Sequence, residues 1–126
     1  MNVLVDTSVW VAHFKQCNAP LVSLLDDGLV VCHPHVIVEV ACGTPPAQRI
    51  VIDMLAELES LPVATPTEML ELIERRGLHG RGCGFVDVNL LASAMFSEAT
   101  FVWTLDKRLE AVAIELGRAY RPSVPP

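Results

Sequence analysis

Short apolar runs, none of them helix-length, alternate along this chain with longer segments of helical character. That alternation is what most narrows the fold. Asn2–Val5 reads as a strand that ends against an acid, Asp6. Leu29–Cys32, Leu61–Ala64 and Thr100–Thr104 read as further strands, and Ala119–Arg121 as a candidate fifth. The stretches between them carry helix signals. Thr7 and Ser8 can each cap a helix running through Phe14, and Pro20–Asp27 reads as a helix stopped by Gly28. Pro34–Ala41 ends before Gly43, and Pro45-Pro46 opens a helix with Ile50, Met54, Leu55 and Leu58 at helical spacing. Pro66 starts another helix, with Arg75 and Arg76 at its basic C-terminal end. Phe85–Ser97 and Lys107–Leu116 complete the set. A parallel neighbour can be reached only by a crossover, so strands separated by helices predict an α/β fold with a mainly parallel sheet flanked by helices.

The chain has 126 residues, enough for one domain over residues 1–121, with a proline-rich frayed tail expected at 122–126. Hydrophobic residues make up 52% and charged ones 19%, which excludes disorder and suggests a partner surface beyond the core. No run reaches the roughly 18 apolar residues of a membrane span, so no membrane role is expected. The N-terminus lacks the basic segment of a secretory signal. Cys17, Cys32, Cys42 and Cys83 form neither a Cys-x-x-Cys pair nor a disulfide framework, as expected for a cytoplasmic protein. Cys32, His33, His35 and Cys42 match no standard zinc spacing, and small buried thiols are the better reading. Fifteen acids against nine Lys and Arg give a formal charge of −6, which excludes nucleic-acid binding through bulk positive charge.

The placing of the acids is more telling than their number. Asp6 directly follows the first strand and Asp106 closely follows the fourth. In open parallel sheets, ligands bind beyond the C-terminal strand ends. Each could instead cap the helix that follows. Glu39 lies within the apolar stretch Val36-Ile37-Val38-Glu39-Val40-Ala41, and a buried carboxylate there must be neutral, paired with a base such as His35, or bound to a cation. Asp87 lies among Phe85, Val86 and Val88, and its alternative role is a first-turn acid favoured by the helix dipole. Four such acids without a matching set of buried bases are explained jointly by a hard divalent cation, Mg2+ or Mn2+, which suits oxygen-rich sites and phosphate ligands. The chemistry this points to is phosphodiester hydrolysis by a metal-activated water.

These residues also carry a family resemblance. Val5-Asp6-Thr7-Ser8-Val9-Trp10 resembles the opening motif of the PIN domain, specifically of VapC-type toxin ribonucleases. Val38-Glu39-Val40 resembles the second acidic block, Gly80 through Ala94 the third, and Val102 through Leu109 the fourth. The blocks fall in order between residue 3 and about residue 116. The resemblance implies a five-stranded parallel sheet with strands one and four adjacent. It implies that Asp6, Glu39, Asp87 and Asp106 bind metal, and that Ser8 and Thr104 place the water or an acid through their hydroxyls. Helix capping competes for those two hydroxyls, and for Asn89 simple solvation is favoured over support of Asp87 or an RNA contact.

The same resemblance implies a Mg2+- or Mn2+-dependent endoribonuclease, the toxin of a type II toxin–antitoxin pair, with a small protein antitoxin and a homodimeric state. Arg81 within the glycine-rich loop, and Lys107 and Arg108 after Asp106, are the candidate RNA contacts. The loop lacks the Lys-Ser/Thr of a P-loop. Two other readings stand beside this one. An aspartyl-phosphate phosphohydrolase would carry an acid where Ser8 stands, and a non-catalytic PIN-like binding module would lack one or more of the acids.

Overall fold

A computed structural model describes residues 1–122, so all but the first residue of the expected tail lies outside the described residues. The elements run in the order β1 (Asn2–Val5), α1 (Thr7–Lys15), α2 (Ala19–Asp26), β2 (Val30–Cys32), α3 (Pro34–Cys42), α4 (Gln48–Glu57), β3 (Glu59–Ser60), α5 (Pro66–Arg76), α6 (Phe85–Met95), β4 (Thr100–Trp103) and α7 (Lys107–Glu115). The strands form one sheet in the order β3-β2-β1-β4, with every pairing parallel. Val3, Leu4 and Val5 have no exposed surface. Successive strand residues point to opposite faces, so β1 is covered on both sides, as parallel sheets require. Trp10 of α1, Leu21 of α2, Leu90 and Leu91 of α6, and Leu109, Val112 and Ala113 of α7 fill the core against it.

Helix boundaries follow local chemistry. Thr65 and Glu68 form a reciprocal capping box at the start of α5, and Gly77 ends that helix in the left-handed conformation at φ 61°. Asn18 caps α2 through a 3.0 Å bond from Leu21 N–H. Arg118 staples the turn between α6 and β4, its Nη1 donating to the carbonyls of Ala94, Ser97 and Thr100.

The sheet has four strands rather than five. The third strand, expected at Leu61–Ala64, lies at Glu59–Ser60. Its ladder ends where Leu61 N–H donates to Cys32 O, because Pro62 has no N–H to continue it. The expected fifth strand, Ala119–Arg121, is reduced to one parallel bridge between Ala119 and Val102. Pro122 ends that pairing for the same reason.

A buried polar tie joins the far side of β2 to α6. His33 has no exposed surface, and its Nδ1 accepts His35 N–H at the start of α3. The neutral ring therefore carries its proton on Nε2, within 2.9 Å of Asn89 Oδ1 and 3.0 Å of Ser93 Oγ. Asn89 in turn exchanges two bonds with the backbone of Ala64. Asn89 is thus buried, not solvated, and its neighbour Asp87 is not its partner. Burial pushes the His33 imidazole down to about 4.

The unfolded chain takes up a proton at His33 near pH 6.5, well before the native state does. Stability is therefore complete above about pH 6.5 and declines as pH falls toward 4, by about 1–3 kcal/mol. Denaturant titrations across this window should show the slope in the wild type. A His33→Gln variant should lose it, whatever its absolute stability.

Candidate active site

The sheet order places a switch point between β1 and β4. From β1 the chain builds outward through β2 to β3, then returns to add β4 on the opposite side of β1. Crossovers leaving in opposite directions open a crevice beyond the C-terminal strand ends. The β1–β4 register pairs Val5 with Trp103, so Asp6 and Thr104 emerge side by side into that crevice.

Asp6 occupies the N-cap position of α1, yet its side chain caps nothing. Its Oδ2 instead accepts hydrogen bonds from Thr104 Oγ1 at 2.7 Å and Ser8 Oγ at 2.8 Å. Each hydroxyl is itself fixed by a backbone donor: Asp106 N–H reaches Thr104 Oγ1, and Leu105 N–H reaches Ser8 Oγ, both at 3.0 Å. Since both hydroxyls accept from the backbone, both point their protons at Asp6. The carboxylate is only 6% exposed and is held in one orientation. The capping roles open to Asp6, Ser8 and Thr104 are therefore not the ones they take.

The other three acids lie in varied settings. Asp106 does act as an N-cap: its Oδ1 accepts Arg108 N–H at 2.8 Å and Leu109 N–H at 3.2 Å. Asp87 lies in the first turn of α6, half-buried, and accepts Gly84 N–H at 3.3 Å. Glu39, expected to be buried, is exposed. Val36 and Val40 form the inward face of α3, and the helical period turns Val38 and Glu39 outward despite their apolar neighbours. Its partner is not His35. Thr7, the residue next to Asp6, donates to Glu39 Oε1 at 2.6 Å. Local sequence marks Thr7 only as a cap, and its link to Glu39 spans too much chain for spacing to reveal.

The four acids nevertheless share one field. Burial raises the Asp87 carboxyl above the ordinary range, and the charges of Asp6, Asp106 and Glu39 push it further up against the opposing Gly84 bond. The Cys83 thiol is held up by burial and by the charges of Asp87 and Asp106, so it stays protonated beside them. Among the described residues, no three His, Cys, Asp or Glu side chains meet as a ready-made cation nest. The donor set still suits a hard cation: carboxylate and hydroxyl oxygens only.

The candidate RNA-contacting cations are differently placed. Arg81 is engaged by a two-pronged bond to Glu115, at 2.9 and 2.7 Å. Lys107 and Arg108 are exposed in the first turn of α7. Gly82, at φ 83°, leaves room for the Arg108 side chain, since a Cβ there would stand 2.5 Å from Arg108 Cδ.

The raised carboxyl of Asp87 has a measurable consequence. Its stabilising contribution is present below the ordinary carboxylate value and lost as pH rises through the raised one, so at neutral pH the metal-free protein bears the full cost. Asp87→Asn should therefore raise the melting temperature at pH 7 in EDTA by a few degrees. Millimolar Mg2+ or Mn2+ should stabilise the wild type more than this variant. Equal stabilisation of both would detach Asp87 from any cation.

A family model for the PIN domain matches residues 3–115, a span that contains all four acids. Two relatives, each named Ribonuclease VapC32, come from Mycobacterium tuberculosis strains CDC 1551 / Oshkosh and ATCC 25618 / H37Rv. Each is 47% identical over 122 residues, covering 97% of this chain and 98% of the relative. With an identity this high over nearly the full length of both proteins, the chain belongs to the PIN-domain family, as a VapC-type member.

Proposed function

We propose that this protein is a divalent-metal-dependent endoribonuclease that acts as the toxin of a type II toxin–antitoxin pair. The observation that carries the reading is the Asp6 carboxylate, taken out of its capping role and oriented by Ser8 and Thr104 at the switch point of the sheet. The family membership and the relatives named as ribonucleases support RNA as the substrate.

In this reading Asp6, Glu39, Asp87 and Asp106 hold Mg2+ or Mn2+. When bound, the ion lowers the pKa of a water and offsets charge on the phosphate. Mg2+ keeps several of its own waters and takes few direct carboxylates, so the four acids need not all touch it. Ser8 and Thr104 fix the direction of Asp6, and Thr7 restrains Glu39. Lys107 and Arg108 stand where they can meet RNA phosphates next to Asp106, and Arg81 can join them if Glu115 releases it. The same reading includes a small protein antitoxin, a homodimer and a cytoplasmic setting. Among the described residues, no helix is long and apolar enough to cross a membrane.

Purified protein with Mg2+ or Mn2+ should cleave structured RNA, and EDTA should stop it. Asp6→Asn should lower kcat by about 100-fold or more, and its expression in bacteria should be tolerated where the wild type arrests growth. Thr104→Val leaves the acid but frees its orientation, with an expected loss of about 10-fold. The reading fails if a broad RNA panel stays intact and wild type and Asp6→Asn express equally well. Covalent phosphorylation of Asp6 by a phosphate donor would instead establish the phosphohydrolase alternative.

A further inference from the structure

Three rings rise from the core to the surface between the helices that carry Glu39 and Asp87. His33, fully buried, is fixed by Asn89, Ser93 and the His35 N–H. The His35 ring lies 5.0 Å from it, centroid to centroid, and the Phe85 ring 5.9 Å beyond, at an interplanar angle of 34°. Phe85 is the outermost ring and is 64% exposed. It opens α6 two residues before Asp87, while His35 stands one helical turn before Glu39 on α3. A large apolar ring is thus kept in water two positions before Asp87, with the His35 ring packed against it.

We propose that Phe85, backed by His35, is a stacking platform for one unpaired nucleobase of the RNA that the acids cleave. The proposal rests on the ribonuclease reading above. Base and phosphate of a nucleotide are separated by a single sugar, so a base on Phe85 brings a neighbouring phosphate toward Asp87. The charge balance favours this kind of contact. A chain of formal charge −6 has few cations near the site, with Arg81 already paired to Glu115, and so has little electrostatic hold on a polyanion. Stacking does not depend on charge, and unpaired bases splayed onto aromatic rings are the usual handle of single-strand RNA recognition. The rival occupant of the ring is a protein surface, because Phe85 also borders an apolar cleft lined by Pro66, Met69, Leu70 and Ile73. The scarcity of unpaired cations and the His35 ring behind Phe85 favour the base.

The test is steady-state cleavage of a single-stranded oligoribonucleotide by the full chain with Mn2+, using intact RNA and a series with one abasic position each. Phe85→Leu should raise KM about 5- to 50-fold with little change in kcat, and Phe85→Trp should restore it. One abasic position should weaken the wild type by a similar factor and add no further loss in Phe85→Leu, since base and ring act as a pair. The loss should be the same at low and high salt, unlike that of a phosphate contact. Phe85→Leu cleaving like the wild type, or losing equally on every abasic substrate and on intact RNA, overturns the platform. So does an unchanged KM accompanied by loss of self-association or of antitoxin binding, which would assign the ring to a protein interface. Absence of any cleavage by the wild type overturns the ribonuclease reading itself, and the platform with it.

Discussion

The pairing of β1 with β4 is the contact on which the rest of this protein depends. It joins the two ends of the chain in parallel, residue for residue from Asn2 with Thr100 to Val5 with Trp103. That ladder delivers Thr104 to Asp6 across 98 positions of sequence. Closing so long a loop costs entropy before it returns any contact. The return comes from a fully buried central strand and from the Ser8–Asp6–Thr104 cluster just past its end. A one-residue slip in a strand buried on both faces would exchange every side chain between faces and separate the cluster. Register in the core thus sets orientation at the site.

Electrostatics accounts for the way the site is distributed over the fold. Four acids come from four different segments: the end of β1, the middle of α3, the first turn of α6 and the cap of α7. Each is restrained locally, by a hydroxyl or by a backbone N–H, so none needs a basic partner in the crevice. Burial, with the charges of the other acids adding to it, raises the Asp87 carboxyl and is the cost of this arrangement. In the proposed reading such a site takes a cation, and through the cation phosphate. This removes the conflict between an acidic protein and a polyanionic substrate.

Much of this was legible in the residue order. Alternation of apolar runs with helical stretches yields the parallel α/β sheet, and glycine and proline mark most boundaries, as at Gly28, Gly43, Pro66 and Gly77. The misses have physical causes. Pro62 and Pro122 lack the N–H that ladder pairing needs, so the third strand is shortened and displaced and the fifth shrinks to one bridge. Glu39 has apolar neighbours in sequence, but neighbours in sequence are not neighbours on a helix face, and the side chain is exposed. Asn89, polar and close to an acid, reads as solvated until the fold encloses it with His33 and Ala64.

The class of fold and the oxygen-rich chemistry of the four acids are readable from residue order, because residue type and periodicity are local properties. Which hydroxyl serves which acid is not. Asp6 and Asp106 both occupy N-cap positions, yet one is claimed by Ser8 and Thr104 while the other caps α7. Hydrogen bonds of a few ångströms between residues dozens of positions apart exist only once the sheet has set its register, and no local pattern encodes them.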